Sequence, residues 1–201
     1  MKAVKIITGT VAPLDRSDVD TDQIIPSDYL KRVEKTGFDK GLFAQWREDK
    51  DFILNNAEYA DANIMVAGTK FGTGSSREHA VCALKQWGFD AVIAPSFGDI
   101  FRLNSYNNGL LPVIVNQEIS DRIIKAALSN PALKVTIDVR KRTIHVPELD
   151  SLIVNFPLDD SIQHRFLEGL DEIGITLQHE EHITEYESTR HSWLPSLDTK
   201  E

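Results

Sequence analysis

The chain has 201 residues, 41% of them hydrophobic and 26% charged, which is enough to build one substantial core. Its formal net charge of −9 argues against a nucleic-acid-binding surface, because phosphate binding requires clustered Lys and Arg. A single cysteine, Cys82, excludes a disulfide within the chain and an iron–sulfur cluster held by this chain's cysteines alone.

The N-terminal segment MKAVKIITGTVAPLD does not have the pattern of a signal peptide, since no apolar stretch of sufficient length precedes Pro13. No later stretch approaches the length of a membrane span. We therefore expect a cytoplasmic protein that has no membrane contact.

The first part of the chain predicts a strand, a turn and a long excursion. Residues 4–11 are rich in β-branched side chains and predict a strand, which leads into the acidic turn of residues 15–22. Residues 27–58 have no regular period, and their aromatic side chains are scattered among charges. We interpret residues 27–58 as a short helix followed by a mobile substrate-recognition excursion, because long excursions of this kind often form binding loops or lids.

The central part of the chain alternates between short apolar runs and amphipathic segments. The apolar runs predict strands at residues 63–67, 90–95 and 110–115. The amphipathic segments predict helices at residues 76–87, 96–103 and 120–129. This alternation predicts a parallel sheet with flanking helices, and therefore an α/β fold.

After Pro131 the period of the apolar residues changes to two. Residues 135–156 predict a small β meander, and helices are expected again at residues 161–170 and 180–187. Residues 188–201 show little pattern, and we expect a loose C-terminal tail or a partner contact there. His179 and His182 do not have the HExxH spacing of a zinc site, so no metal site is predicted.

The most informative motif is GTKFGTGSSREHA, residues 68–80, which directly follows a predicted strand. It fits neither the P-loop pattern nor the dinucleotide fingerprint, because Lys70 is misplaced for the first and Arg77 replaces a required glycine in the second. A purely structural alternative is a capping box with Ser75 at the N-cap and Glu78 at N3. That alternative does not explain Arg77, since a cation at a helix N-terminus opposes the helix dipole.

The same residues can form an anion site. Gly74 lets a ligand approach the backbone, while helix N-terminal amides, Arg77 and the hydroxyls of Ser75 and Ser76 would bind a carboxylate or another oxyanion. This positive field would also favour a serine alkoxide, so Ser75 is a candidate base. His79 could relay a proton, or it could be a structural hydrogen-bond partner.

Together with DVDTDQIIP upstream and IAPSFGDIFRLNSYNNGLLPV and GLDEIGITLQHEEHITEYE downstream, this motif resembles the 3-isopropylmalate dehydratase small subunits, swivel-domain relatives of aconitase. The resemblance implies one aconitase-like swivelling β/β/α domain over residues 1–187, with a mixed sheet and flanking helices. It also implies a hydro-lyase that isomerises 2-isopropylmalate and 3-isopropylmalate by dehydration and rehydration in leucine biosynthesis.

The resemblance assigns roles to individual residues. Ser75 would be the base that removes a carbon-bound proton, Arg77 would bind the substrate carboxylate, and Ser76 would be a second hydroxyl on the ligand. Supporting residues near the site would be Asp20, Thr21 and Asp22. Substrate discrimination would involve Tyr29, Leu30, Lys31 and Arg32.

The resemblance also implies a partner. The iron–sulfur cluster of this family is held by a separate large subunit, so this chain would bind no cofactor and would supply half of an active site for a dicarboxylate substrate. The sequence departs from the family at Lys70, commonly Asn, and at Thr73, often Cys. Lys70 either strengthens anion binding or points to solvent.

Three alternatives to this function remain open. The first is the same chemistry on homoaconitate or on a methyl- or dimethylmalate. The second is a non-catalytic subunit that binds dicarboxylates. The third, a free-standing phosphate-binding protein, is disfavoured by the failed P-loop spacing.

Overall fold

A computed structural model describes residues 1–31, 36–191 and 193–194, and it places seven strands in one mixed sheet. In chain order the strands are β1 (Ile6–Leu14), β2 (Ile64–Ala67), β3 (Ala91–Ala94), β4 (Leu111–Ile114), β5 (Lys134–Asp138), β6 (Thr143–Val146) and β7 (Leu152–Asn155). Their spatial order is β4-β3-β2-β1-β5-β6-β7. Strands β1 to β4 pair in parallel, and β1 pairs antiparallel with β5, which continues into β6 and β7.

Helices and short 3₁₀ segments connect and cover these strands. The α-helices are α1 (Thr21–Ile24), α2 (Glu78–Trp87), α3 (Asp99–Asn107), α4 (Gln117–Ser129), α5 (Asp160–Glu168), α6 (Glu172–Leu177) and α7 (Glu180–Ser188). The 3₁₀ helices are Ser27–Lys31, Phe38–Gly41, Trp46–Glu48, Ile53–Asn55 and Ala57–Tyr59. The predicted α/β class, the mixed sheet and the β meander are confirmed.

The parallel half of the sheet is covered on both faces. All four residues of β2 are buried; Met65 and Ala67 face one hydrophobic cluster, whereas Ile64 and Val66 face the other. The first cluster includes residues of α2 and α3, and the second includes residues of α4 and α5. Continuous apolar runs such as IMVA are therefore required, because a strand buried on both sides has no solvent-facing position.

The antiparallel half is covered on one face. Along β5, Val135 and Ile137 are fully buried, whereas Ile6 on β1 and Ile153 on β7 are 60% and 65% exposed. This alternation follows from the period of two along a strand with one solvated face.

Strand β1 joins the two halves, and it extends further than predicted, through Pro13 to Leu14. Its pairing with β5 ends at Thr10, so Pro13 pairs with β2 alone. A proline is tolerated at such a position because it need not donate a hydrogen bond on both sides.

Residues 36–59 pack onto the parallel half instead of standing clear of it. Phe38, Phe43 and Phe52 are buried, and Phe43 stacks on Trp46 with ring centroids 5.2 Å apart. Phe43 also donates its amide to the carbonyl of Ile24 over 2.7 Å. The predicted mobility of the excursion stays a prediction, and strong hydrogen-exchange protection around Phe43, Trp46 and Phe52 would contradict it.

The C-terminal helices α6 and α7 contribute no buried residue among those that the structure describes. Ile173, Leu177 and Tyr186 on these helices are 71%, 58% and 71% exposed. The two helices have six and nine residues, a length at which isolated helices are marginal in water. Of the predicted tail, residues 192 and 195–201 lie outside the described part of the chain.

Among the described residues, no helix combines the length and apolar composition needed to cross a membrane.

Candidate functional site

Three loops meet beyond the carboxyl ends of β1, β2 and β3. In the loop after β2, the amide of Gly72 donates to the carbonyl of Val19 over 2.7 Å. In return, the amide of Thr21 donates to the carbonyl of Thr73 over 2.8 Å. On the other side, Phe71 donates to the carbonyl of Ser96 over 3.0 Å. The β2 loop is thus fixed between its neighbours, at the edge of a parallel sheet where α/β proteins commonly bind ligands.

Two glycines give the β2 loop its shape. Gly72 and Gly74 have φ angles of +74° and +95°, a region that disfavours residues with a side chain. A Cβ at Gly72 would lie 2.2 Å from Cγ of Phe101, which is buried. Gly72 is therefore required both by the backbone conformation and by close packing.

Lys70 also has a positive φ of 56°, which is unfavourable for a lysine and better suited to Asn. Its side chain pairs with Asp18, with Nζ and Oδ1 3.3 Å apart, and both side chains are 67% exposed. Of the two alternatives for Lys70, the structure supports a solvated ion pair.

The hydroxyl of Ser75 is held by Thr21. Oγ1 of Thr21 lies 3.0 Å from the Ser75 carbonyl oxygen and 3.2 Å from Ser75 Oγ. Ser75 and Ser76 are exposed, whereas Thr21 is only 1% exposed. The contact therefore anchors an accessible serine to a buried hydroxyl.

The capping box considered as a structural alternative for the start of α2 does not form. Helix α2 begins at Glu78, its N-cap is Arg77, and Arg77 makes no side-chain capping bond. Ser75 cannot cap this helix because its carbonyl accepts the Arg77 amide over 2.8 Å and its hydroxyl contacts Thr21. Glu78 instead accepts from the side-chain amide of Asn108 over 2.8 Å.

A capping box does occur, at α1. The carboxylate of Asp20 accepts from the Gln23 amide over 2.8 Å, and the Gln23 side chain accepts from the Asp20 amide over 2.9 Å. This arrangement fixes the turn that presents Thr21 and Asp22 toward the β2 loop.

Arg77 is held by the same turn. Its Nη1 forms an ion pair with Asp22 and lies 3.4 Å from the carbonyl oxygen of Ile25. The Arg77 side chain is 21% exposed, and among the described residues its remaining donors, Nε and Nη2, form no hydrogen bond. Those donors can bind a carboxylate through two parallel hydrogen bonds, because a guanidinium presents them in a fixed fork.

His79 packs against an aromatic ring. Its imidazole meets Phe38 edge to face, with ring centroids 4.9 Å apart, and its side chain is half-buried. Among the described residues it makes no hydrogen bond to Ser75. This position supports a packing role, and a proton relay through His79 stays a prediction.

The predicted recognition residues begin in the 3₁₀ helix Ser27–Lys31. Tyr29 and Leu30 are half-buried against the core, and the Tyr29 ring covers Gly41, where a Cβ would lie 2.7 Å from Tyr29 Cγ. Lys31 is the last residue of this helix, and Arg32 lies outside the described residues.

The described residues do not bring metal-ligating side chains together. They contain no group of three or more His, Cys, Asp or Glu side chains that could hold a metal ion. Cys82 is half-buried on α2, with Sγ 3.9 Å from Oδ1 of Asn108. Burial raises the pKa of the Cys82 thiol, and the negative charge of Glu78 raises it further, so the thiolate that a metal requires is disfavoured. An iron–sulfur group does not fit these residues.

The chain has a mixed sheet with a glycine-rich Ser-Ser-Arg loop beyond the carboxyl end of β2, and its family match places it in the aconitase-like class of domains. Residues 1–118, more than half of the chain, match the family described as the aconitase C-terminal domain. Residues 172–200 match the family described as the C-terminal domain of the 3-isopropylmalate dehydratase small subunit.

Individual relatives agree with these matches. A 3-isopropylmalate dehydratase small subunit from Frankia alni is 54% identical, covering 98% of this chain and 99% of the relative. A small subunit of the same name from Salinispora arenicola is 52% identical, covering 98% of this chain and all of the relative. The crystal structure of a 3-isopropylmalate dehydratase from Methanocaldococcus jannaschii superposes with a TM-score of 0.67 and 30% identity, covering 90% of this chain and 99% of that one.

The chain therefore belongs to the 3-isopropylmalate dehydratase small subunit family. The resemblance read from its motifs and the expected aconitase-like fold are confirmed.

Proposed function

We propose that this chain supplies the base and a carboxylate-binding group of a hydro-lyase that interconverts 2-isopropylmalate and 3-isopropylmalate in leucine biosynthesis, in the cytoplasm. The observation that carries the proposal is that Ser75 and Arg77 lie two residues apart on one loop and are both held by one turn, through Thr21 and Asp22. A reacting carbon and its carboxylate are separated by a single bond, so a base and a cation on the same loop can serve one ligand.

Arg77 would bind and orient the substrate. Asp22 occupies Nη1 of the guanidinium, so a carboxylate would approach Nε and Nη2. The exposed hydroxyls of Ser75 and Ser76 and the backbone at Gly74 precede Arg77 on the same loop, so they would be available to the same ligand. Asp22 would thus fix the Arg77 guanidinium through Nη1 while the substrate carboxylate binds Nε and Nη2.

Ser75 would remove the proton from carbon as an alkoxide, and it would return a proton when the unsaturated intermediate is hydrated. The large subunit would complete the site, and its iron–sulfur cluster would supply a Lewis acid for the leaving hydroxyl. Because the Lewis acid would come from the large subunit, this chain would be inactive alone.

Substrate choice would depend on the segment that begins with Tyr29 and Leu30. These half-buried apolar side chains suit an alkyl substituent, and Lys31 and Arg32 are candidates for a second carboxylate. A change of alkyl group would then alter KM through this segment while the chemistry at Ser75 stays the same.

The test is to mix this chain anaerobically with a cluster-loaded large subunit and to follow the hydration of isopropylmaleate by its ultraviolet absorbance. We expect turnover in the mixture and none from either component. Turnover of a homoaconitate-type or methylated analogue in place of isopropylmaleate would keep the reaction and change the substrate. A stable complex without turnover of any of these compounds would favour a binding subunit.

A further inference from the structure

Thr21 is a buried hydroxyl beside the proposed base. The buried polar side chains of the described residues are Thr21, Ser105, Ser120 and Arg165. Ser105 and Ser120 each donate to a backbone carbonyl, over 2.7 and 2.8 Å, as buried hydroxyls must in order to offset lost hydration. Thr21 differs from both because a second hydroxyl, Ser75 Oγ, lies within its reach at 3.2 Å.

Hydrogen bonds of the backbone and the branched side chain of Thr21 together restrict its position. Its amide donates to the Thr73 carbonyl over 2.8 Å, and the capping bonds between Asp20 and Gln23 enclose it. Its own side chain is stiff at χ1 because it is branched at Cβ. The hydroxyl oxygen therefore stays where it is, and only its proton can change direction.

A hydroxyl has one proton to donate and two lone pairs that accept. While Ser75 is neutral, the Thr21 proton can point to the Ser75 carbonyl oxygen at 3.0 Å, and the Ser75 hydroxyl can donate to Thr21 Oγ1 at 3.2 Å. Once Ser75 is ionised, its alkoxide is the stronger acceptor, so the Thr21 proton would turn toward it. No other atom needs to move.

We propose that Thr21 is a positioning residue that aims the Ser75 hydroxyl and donates a hydrogen bond to its ionised form, an inference that rests on the proposed role of Ser75 as the base. When substrate is deprotonated, the carbon–hydrogen bond breaks, the proton forms the Ser75 O–H bond, and the electron pair stays on the substrate. The proton goes back to carbon during rehydration, and Thr21 turns again toward the ionised Ser75.

The proposal is tested in the assembled two-subunit enzyme with Thr21→Val, which keeps the shape of the side chain and removes the hydroxyl. We expect kcat to fall roughly tenfold to a hundredfold, the loss of one charge-assisted hydrogen bond, with a much smaller change in KM. The acid limb of the kcat–pH profile should move to higher pH, because the Ser75 alkoxide loses its donor. Thr21→Ser should restore both the rate and the profile.

A matched control is Ser105→Ala, which removes another buried hydroxyl that donates to a carbonyl but lies inside α3. It should lower stability without moving the pH profile. If Thr21→Val does not assemble, Thr21→Cys takes its place, since a thiol fills the site but is a weak donor. The same displaced acid limb is expected.

A wild-type kcat and pH profile in assembled Thr21→Val or Thr21→Cys would overturn the role of Thr21. A Thr21→Ser enzyme as impaired as Thr21→Val would overturn it as well. Ser75→Ala separates this failure from a failure of the proposed function. An inactive Ser75→Ala enzyme beside a normal Thr21→Val enzyme refutes only the role of Thr21, whereas an active Ser75→Ala enzyme refutes the base itself.

Discussion

Replacing Gly72 with Ala should lower the free energy of unfolding for two reasons, backbone strain and steric overlap with Phe101. Gly72 has a φ of +74°, and an added Cβ would lie 2.2, 2.6 and 2.7 Å from Cγ, Cδ2 and Cβ of Phe101. Phe101 cannot easily move away, since it is 2% exposed and its ring lies 5.3 Å from Phe71 and 6.2 Å from Phe97.

Two costs therefore add at Gly72. The left-handed backbone costs a residue with a side chain about 1–2 kcal/mol. Overpacking against an immobile ring costs about 1–3 kcal/mol more, so the sum is about 2–5 kcal/mol. This is a large part of the free energy of unfolding of a typical domain, which is about 5–15 kcal/mol.

Gly109 provides the matched control. Its φ of +70° is close to that of Gly72, but the nearest atom to a Cβ there would be Sδ of Met1 at 3.4 Å, an ordinary van der Waals contact. Gly109→Ala should consequently show only the backbone cost, about 1–2 kcal/mol. Both free energies can be measured by urea unfolding followed through tryptophan fluorescence. If Gly72→Ala is no more destabilising than Gly109→Ala, the packing of the β2 loop against Phe101 is not as described.

Three further predictions concern single side chains near the loop. Lys70→Asn should raise the free energy of unfolding by about 0.5–1 kcal/mol in urea titrations, because Asn tolerates a positive φ and the exposed pair with Asp18 contributes little; an unchanged midpoint would count against strain at this residue. Arg77→Lys should lower kcat/KM of the assembled enzyme roughly tenfold or more, because an ammonium cannot pair with Asp22 and still offer a planar fork to a carboxylate; an unchanged kcat/KM would contradict this. The raised pKa of the Cys82 thiol means that the folded chain binds the thiol proton more tightly than the unfolded chain does. The contribution of this thiol to the free energy of unfolding is therefore constant below its ordinary pKa of 9.0 and declines as pH rises through the folded pKa. Urea titrations from about pH 8 to 10 should show this decline in the wild type and a smaller one in Cys82→Ala.

The loop that carries Ser75 and Arg77 could be predicted from sequence because all of its informative residues are contiguous. Its partners could not. Thr21 and Ser75 are 54 residues apart, and they meet only because β1 and β2 pair in parallel and end at the same edge. The contact of Arg77 with Asp22 has the same origin, so the sequence supported no more than proximity for that turn.

Helix starts illustrate a second limit. Both Ser75 to Glu78 and Asp20 to Gln23 fit the spacing of a capping box, and the structure forms the second. Nothing local distinguishes them, because the choice depends on the hydrogen bond between Ser75 and Thr21. Helix α1 itself has four residues, too few to show a helical period.

The packed segment of residues 36–59 illustrates a third limit. Its 3₁₀ helices have three or four residues each, whereas a periodic pattern needs a window of about eleven or more. The scattered aromatic residues therefore looked irregular along the chain. In three dimensions Phe43, Trp46 and Phe52 form one cluster, with centroids 5.2 to 5.9 Å apart.

The central claim is that Ser75 is the base, and the most direct measurement is the rate of Ser75→Ala in the assembled enzyme with isopropylmalate as substrate. The variant should assemble with the large subunit and lose roughly 10²- to 10⁴-fold in kcat, since only the proton-transferring group is removed. Ser76→Ala, measured in parallel, should mainly raise KM. A Ser75→Ala enzyme that assembles and keeps the wild-type kcat would show that another group removes the proton.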